Sequence, residues 1–318
     1  MIAVHLEMGR VEIRRRPWPR RRPGHALVRL LTAGICNTDL ELQRGYYNFR
    51  GTPGHEFVGE VVDADDQALL GRRVVGEINL PCGRCDWCAR GLGRHCPRRT
   101  VLGIAGCPGA FSEYFTLPEA NLHLVPDCVP NEQAVFTEPV AAACEILEQV
   151  RIPRRSPVAV LGDGKLGLLI AQVFHARKLE VHLYGKQEHK LAIAAAAGIR
   201  TALVPAGLPA AAYDWVVEAT GSAAGLTQAV RMTRPRGTLI LKSTVHGHVS
   251  LDSAPVVVNE ITLVGSRCGP FEPALALLGR GRIQTGEMIS HRLPLREAPR
   301  AFRLAARKGT LKVLLDAG

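Results

Sequence analysis

Apolar and polar positions divide the chain into two textures. From residue 1 to about 135, short apolar runs stand between glycines and prolines, as in Ala26–Leu31, Phe57–Val62 and Arg73–Ile78, and such runs predict the strands of a mostly-β domain with many turns. No helical period longer than about three turns occurs there before Asn131–Val150. From Ser156 the rhythm changes. The apolar run Val158–Leu161 leads into a helix-like stretch from Leu166 to Arg177, and Val181–Tyr184 precedes a helix-like Gln187–Ala197. Ala202–Val204, Trp215–Val217, Thr238–Leu241 and Ile261–Val264 follow, with a further helix after Gly221. Strands alternating with helices predict a parallel sheet built from βαβ units. Beyond Cys268 the pattern gives one helix, Pro273–Leu278, then strand-like and helical pieces ending at Val313–Leu315.

Length sharpens this division: 318 residues, at roughly 100–200 residues per domain, predict about two domains. A chain of this size, 47% hydrophobic and 22% charged, can bury a sizeable core without disulfide staples. The net charge of +11 admits nucleic acid, a membrane surface, or anionic substrates and phosphate-bearing cofactors. Its densest run, Arg14 to Arg16 and Arg20 to Arg22, is punctuated by Pro17, Pro19 and Pro23 and reads as a solvated connection between two N-terminal strands. The opening MIAVHLEMGRVEI reads as a short strand pair, not as a charged start before an apolar secretory segment. No stretch approaches the roughly 18 uninterrupted apolar residues of a transmembrane helix. The expectation is a cytoplasmic chain with reduced thiols, in which clusters among its nine cysteines point to metal or catalysis over disulfides.

One such cluster is evident. Cys82, Cys85, Cys88 and Cys96 form C-x2-C-x2-C-x7-C within 15 residues. Four thiolates suit a tetrahedral zinc, and a site filled by protein on all four corners is structural. An iron–sulfur cluster also uses thiolates. A zinc ribbon on nucleic acid would use the neighbouring Arg84, Arg90, Arg94, Arg98 and Arg99, so both alternatives stay open at this point.

A second motif is glycine-rich. Gly162-Asp163-Gly164-Lys165-Leu166-Gly167 follows an apolar run and opens a helix, the context that a dinucleotide-binding G-x-G-x-x-G requires. The first glycine makes the turn, the second admits a pyrophosphate, the third lets helix and strand approach, and the helix N-terminus receives the anion. About 20 residues on, a carboxylate at the end of the second strand would bind the ribose 2′-hydroxyl of NAD. Here the strand ends at Tyr184-Gly185-Lys186 with no carboxylate. Gly185, with Lys186 and Lys190 as partners for a 2′-phosphate, favours NADP over NAD.

Taken together, AGICNTD (33–39), PGHEFVGEV (53–61), the four-cysteine lobe, TEPVAAA (137–143), VLGDGKLG (160–167), VVEATG (216–221) and TLVGSR (262–267) resemble the zinc-containing medium-chain alcohol dehydrogenases, including the polyol and glucose dehydrogenases. The resemblance runs over nearly the whole chain. It implies an α/β fold, with a Rossmann doubly wound parallel sheet joined to a β-rich, GroES-like catalytic domain. It implies two zincs per chain and a catalytic zinc held by Cys36, His55 and Glu138, with Glu56 or water beside them. Thr38 takes the role of proton relay and Asp39 that of a supporting carboxylate. Many relatives carry a histidine five residues after the zinc cysteine; this chain has Glu41 there, which could pass the proton instead. Thr220, Ser243, Arg267 and Lys312 match positions near the coenzyme, Lys312 near its pyrophosphate. Cys144 is expected as a buried core thiol.

The expected organisation is a catalytic domain of 1–150 plus 269–318, carrying the structural zinc lobe at 82–96, and a coenzyme domain of 151–268, with the active site in the cleft between them. A catalytic zinc lowers the pKa of an alcohol so that a hydride can pass to the nicotinamide. The expected partner is a small alcohol or polyol, with no nucleic acid and no membrane, and the chain is expected to assemble as a homodimer or homotetramer. Two rivals are a zinc-independent quinone or enoyl reductase on the same fold and a non-catalytic nucleotide-binding regulator.

Overall fold

The structure is a computed structural model that describes residues 1–204, 207–243 and 249–318. The chain divides into two compact units, Met1–Glu138 with Ile289–Gly318, and Pro139–Met288. These boundaries lie further toward the first unit than the expected 150/151 and 268/269, because the flanking segments pack with the second. Gln149 Nε2 donates to Gly265 O at 3.1 Å, and Gln172 Nε2 to Gln284 O at 3.1 Å.

The first unit is β-rich, as its short apolar runs predicted. Its main sheet has seven strands, six of them in the order Leu122–Leu124, Arg73–Gly76, Glu56–Asp63, His25–Gly34, Lys312–Asp316 and Ile289–Pro294. The seventh, Tyr114–Pro118, also pairs with His25–Gly34. In the long central strand Ala26, Val28 and Leu30 are buried while Arg29 is exposed, the period of two that puts alternate side chains on opposite faces. A three-stranded sheet of Asn79–Leu80, Thr100–Leu102 and Gly106–Cys107 adjoins the four-cysteine loop in sequence. Of the basic N-terminal run, Arg21 is tied down, with Nε donating to Asp63 Oδ2 at 2.9 Å and Nη1 to His25 O at 3.1 Å.

The second unit holds a six-stranded parallel sheet. Its strands, numbered within it, are β1 (Pro157–Leu161), β2 (Glu180–Gly185), β3 (Arg200–Leu203), β4 (Tyr213–Glu218), β5 (Thr233–Leu241) and β6 (Thr262–Gly265), lying in the order 3-2-1-4-5-6. That is the doubly wound dinucleotide-binding order. Val158, Ala159, Val160 and Leu161 are all at most 1% exposed, as expected of a strand covered on both faces. The helix after it, Lys165–Ala176, buries every residue from Gly167 to Phe174. No described helix is long and apolar enough to cross a membrane.

Candidate active site

Two strand ends build the first cluster. The central strand His25–Gly34 runs out into Cys36, which caps the short helix Asn37–Gln43. Its neighbour Glu56–Asp63 starts directly after His55, and the register sets Gly34 opposite Glu56. This pairing brings one ligand atom each from Cys36, His55 and Glu56 within 4.8 Å of one another. Asp39, fully buried, locks the arrangement. Its Oδ2 accepts the Cys36 N–H at 2.9 Å, its Oδ1 accepts the Gly54 N–H at 3.3 Å, and the same Oδ1 stands 3.4 Å from His55 Nδ1. The last contact falls short of hydrogen-bond geometry and leaves His55 Nδ1 as a buried nitrogen without one. Thr38 Oγ1 lies 3.8 Å from Cys36 Sγ.

The cluster is built for positive charge. Burial alone would lower the His55 imidazole, but Asp39 and then Cys36 more than reverse that and hold it well above the usual histidine range. Lys312, at 1% exposure, gives its ammonium to Glu56, also 1% exposed. Burial works against that charge, and Glu56, Cys36 and Glu138 together keep the amine above its ordinary value. Gly34 is the space the pair needs, since a Cβ there would stand 2.7 Å from Glu56 Oε2 and 3.2 Å from Lys312 Cδ. A thiol, an imidazole and a carboxylate that meet within 4.8 Å fit a cation with borderline-soft preferences such as zinc.

Lys312, which the family resemblance sets near the coenzyme pyrophosphate, has its ammonium buried on Glu56 within the first unit. Glu138 stands in the first turn of the helix Thr137–Gln149, close enough for its charge to act on Lys312, and is outside the set of three ligand atoms. Glu41 pairs with Arg44 on its own helix. Cys144 is a core thiol, 2% exposed and pushed up to about 11 by burial.

The second cluster is Cys82, Cys85, Cys88 and Cys96, whose sulfurs all lie within 4.8 Å of one another. Cys85 Sγ is 3.4 Å from Cys88 Sγ and 3.6 Å from Cys96 Sγ. A tetrahedron of sulfurs at about 2.3 Å from one ion has edges of about 3.8 Å, so the loop is shaped for a single metal. Local donors polarise it: the Arg84 N–H lowers the Cys82 thiol to about 6, and the Cys88 N–H lowers Cys85, while desolvation raises Cys88 to about 11.

In the second unit the glycine-rich turn follows β1 directly. Gly162 has φ +128°, and a Cβ on it would stand 2.4 Å from Ala219 O; one on Gly167 would stand 2.0 Å from Gly162 O. At Gly164 nothing lies within 4 Å of an added Cβ. Gly164 also starts the helix Lys165–Ala176 with no side-chain cap, Lys165 and Leu166 opening its first turn. An open approach at a helix N-terminus fits a pyrophosphate. Thr220 and Ser243 follow the ends of β4 and β5. The Thr220 N–H and Oγ1 donate to Glu218 Oε1 at 2.7 and 2.6 Å, and Ser243 Oγ accepts the Gly221 N–H at 2.9 Å. Arg267 is exposed, and its carbonyl accepts from Lys242 Nζ at 2.6 Å.

The end of β2 receives a side chain from another segment. A carboxylate does stand there, supplied by the glycine-rich turn: Asp163 Oδ2 accepts the N–H groups of Lys186 and Gln187, each at 2.7 Å. Lys190, the other proposed phosphate partner, is 7% exposed and lowered by burial, against the opposing charge of Asp163.

Known proteins share this architecture. Residues 22–127 match the alcohol dehydrogenase GroES-like domain, and residues 166–280 match the zinc-binding dehydrogenase family. The erythritol/L-threitol dehydrogenase of Mycolicibacterium smegmatis is 29% identical over 332 residues, covering 93% of this chain and 92% of that protein. The D-altritol 5-dehydrogenase of Agrobacterium fabrum is 31% identical over 312 residues, covering 92% of each. A solved structure of a zinc-binding dehydrogenase from Sinorhizobium meliloti 1021, bound to NADP, superposes with a TM-score of 0.90 at 30% identity, covering 99% of this chain and 98% of that one. The chain belongs to the zinc-containing medium-chain alcohol dehydrogenases, oxidoreductases built from a GroES-like and a Rossmann-type domain.

Proposed function

We propose that this chain is a zinc-dependent dehydrogenase that moves a hydride between an alcohol or polyol and a nicotinamide coenzyme. The observation that carries the reading is the Cys36–His55–Glu56 cluster, a thiol, an imidazole and a carboxylate that meet within 4.8 Å of one another beside the fully buried Asp39. A zinc-free reductase has no use for such a donor set. The relatives named for erythritol, threitol and altritol support a polyol.

We assign Cys36 and His55 as ligands and Glu138 as the third. Glu56 has its charge answered by Lys312, which suits a carboxylate standing beside the metal. Cys82, Cys85, Cys88 and Cys96 would hold a second, closed zinc. When bound, the catalytic zinc would supply Lewis acidity that brings an alcohol's pKa down toward about 7, and the coenzyme would accept the hydride. Asp39 fixes Cys36 and the loop before His55 in place, so the donors need little rearrangement. Thr38 presents a hydroxyl at the cluster's edge, where it can take a substrate proton outward. The glycine-rich turn and the uncapped helix behind it would hold the pyrophosphate.

The test is elemental zinc per chain, with coenzyme reduction against a panel of polyols, sugars and simple alcohols, for wild type, Glu138→Ala and Glu56→Gln. About two zincs per chain, loss of about one in Glu138→Ala and turnover of a polyol are expected. Full zinc and full turnover in Glu138→Ala would remove it as a ligand. One zinc and no turnover in wild type would overturn the enzyme reading.

A further inference from the structure

We infer that Asp163, reaching across from the glycine-rich turn, is the ribose-recognising carboxylate of this coenzyme site and makes the protein select NAD over NADP. The inference rests on the dehydrogenase reading above and adds the residue that chooses the coenzyme.

Doubly wound dinucleotide sites discriminate at the end of the second strand, where a carboxylate accepts the ribose 2′-hydroxyl and repels a 2′-phosphate. In this chain that position is Gly185. A Cβ built on Gly185 points into Asp163, 2.5 Å from its Cβ and 2.8 Å from both Cγ and Oδ2. The Asp163 carboxylate thus fills the space into which a side chain at 185 would project. It is anchored there through Oδ2 to two successive backbone N–H groups, Lys186 and Gln187, with Oδ1 remaining to accept from a hydroxyl.

Two consequences bear on the coenzyme. The N–H groups of Lys186 and Gln187 are natural donors to a 2′-phosphate, and a carboxylate already holds them. The cation on the adjoining helix, Lys190, is buried, and burial lowers it against the opposing charge of Asp163, so it does not present an exposed ammonium to a phosphate. An incoming 2′-phosphate would meet a fixed negative charge and two backbone donors already bonded, opposed by the exposed side chain of Lys186. Gly185 reads differently in this light: it leaves room for a carboxylate from another segment and does not vacate the site for a phosphate.

Equilibrium binding of NADH and NADPH, followed by coenzyme fluorescence without substrate, tests this on the zinc-loaded protein. Wild type should bind NADH at least about tenfold tighter than NADPH, given the cost of opposing like charges. Asp163→Ser should weaken NADH and tighten NADPH so that the ratio falls about tenfold or more. Asp163→Asn, which keeps the shape and one acceptor oxygen, should shift the ratio the same way, with an unchanged melting temperature confirming that the turn still folds. Tighter NADPH binding by wild type, or a ratio that neither substitution moves, would overturn the assignment while leaving the dehydrogenase reading intact. Failure of wild type to bind either coenzyme would overturn both.

Discussion

Replacing Lys312 with methionine isolates one charge. The ammonium is buried on an equally buried Glu56, and it stands 5.4 Å from the centre of the Phe136 ring. Methionine keeps much of the length and the contact with that ring, and removes only the cation. Breaking a buried pair by deleting one partner costs about 3–5 kcal/mol, because the remaining charge has nothing to answer it. At about 2–4 °C per kcal/mol for a unit of this size, the first unit should melt about 6–20 °C lower. The drop should be largest in metal-free protein, since a bound zinc supplies some of the missing positive charge. Lys312→Met combined with Glu56→Gln removes both charges and should recover most of the loss. Calorimetry of the four proteins, with and without chelator, closes a double-mutant cycle. A Lys312→Met protein that melts within about 2 °C of wild type, or a double variant no better than the single one, would refute the idea that this pair carries the interior of the site.

Other outcomes follow from the same geometry. Asp39→Asn weakens the hold on the Cys36 and Gly54 amides and should lower catalytic zinc affinity about 10–100-fold, measured by competition with a chromogenic chelator; unchanged affinity would count against its supporting role. Cys85→Ser should lose about one zinc per chain and lower the melting temperature, and full zinc content in that variant would contradict a closed four-sulfur site. Asp65 is held below its usual 3.8 by the Gly24 N–H and then by Arg21. A carboxyl lowered in the folded state stabilises at neutral pH and stops doing so as the solution falls through its folded pKa. Asp65→Asn should therefore unfold earlier in urea than wild type at pH 7, with the difference shrinking as the pH drops below 3.8; a gap that stays constant to pH 3 would exclude this linkage.

What could be read from the sequence was whatever lies close together along the chain. The turn at Gly162–Gly167 and the four-cysteine loop are local, so spacing alone located both. The alternation of Val158–Leu161, Val181–Tyr184 and Trp215–Val217 with helical stretches led directly to β1, β2 and β4 of the parallel sheet. His55 and Glu56 stand 19 and 20 residues after Cys36, and the set came from resemblance; strand register then explains their meeting. Contacts of long sequence separation were invisible. Nothing in the spacing says that Lys312 belongs to Glu56, 256 residues away. The carboxylate at β2 is hidden for a related reason: it does not lie on the strand itself, and side-chain reach from Asp163, 23 residues before Lys186, is not a property of spacing. The unit boundary was displaced because the helix Thr137–Gln149 starts in one unit and is bonded at its far end to the sheet of the other.

The partners Glu56 and Lys312 leave the ribosome far apart in time. With 256 residues between them and synthesis at about 5–20 residues per second, the carboxylate waits roughly 13 to 50 s for its ammonium. During that interval the strand Lys312–Asp316 is missing from the sheet, next to the strand that leads to Cys36. Cys36, His55 and Glu56 already exist, and Glu56 lacks the ammonium that pairs with it in the finished fold. Until then the interior of the first cluster holds an unanswered carboxylate, so the segment made last is also the one that neutralises it.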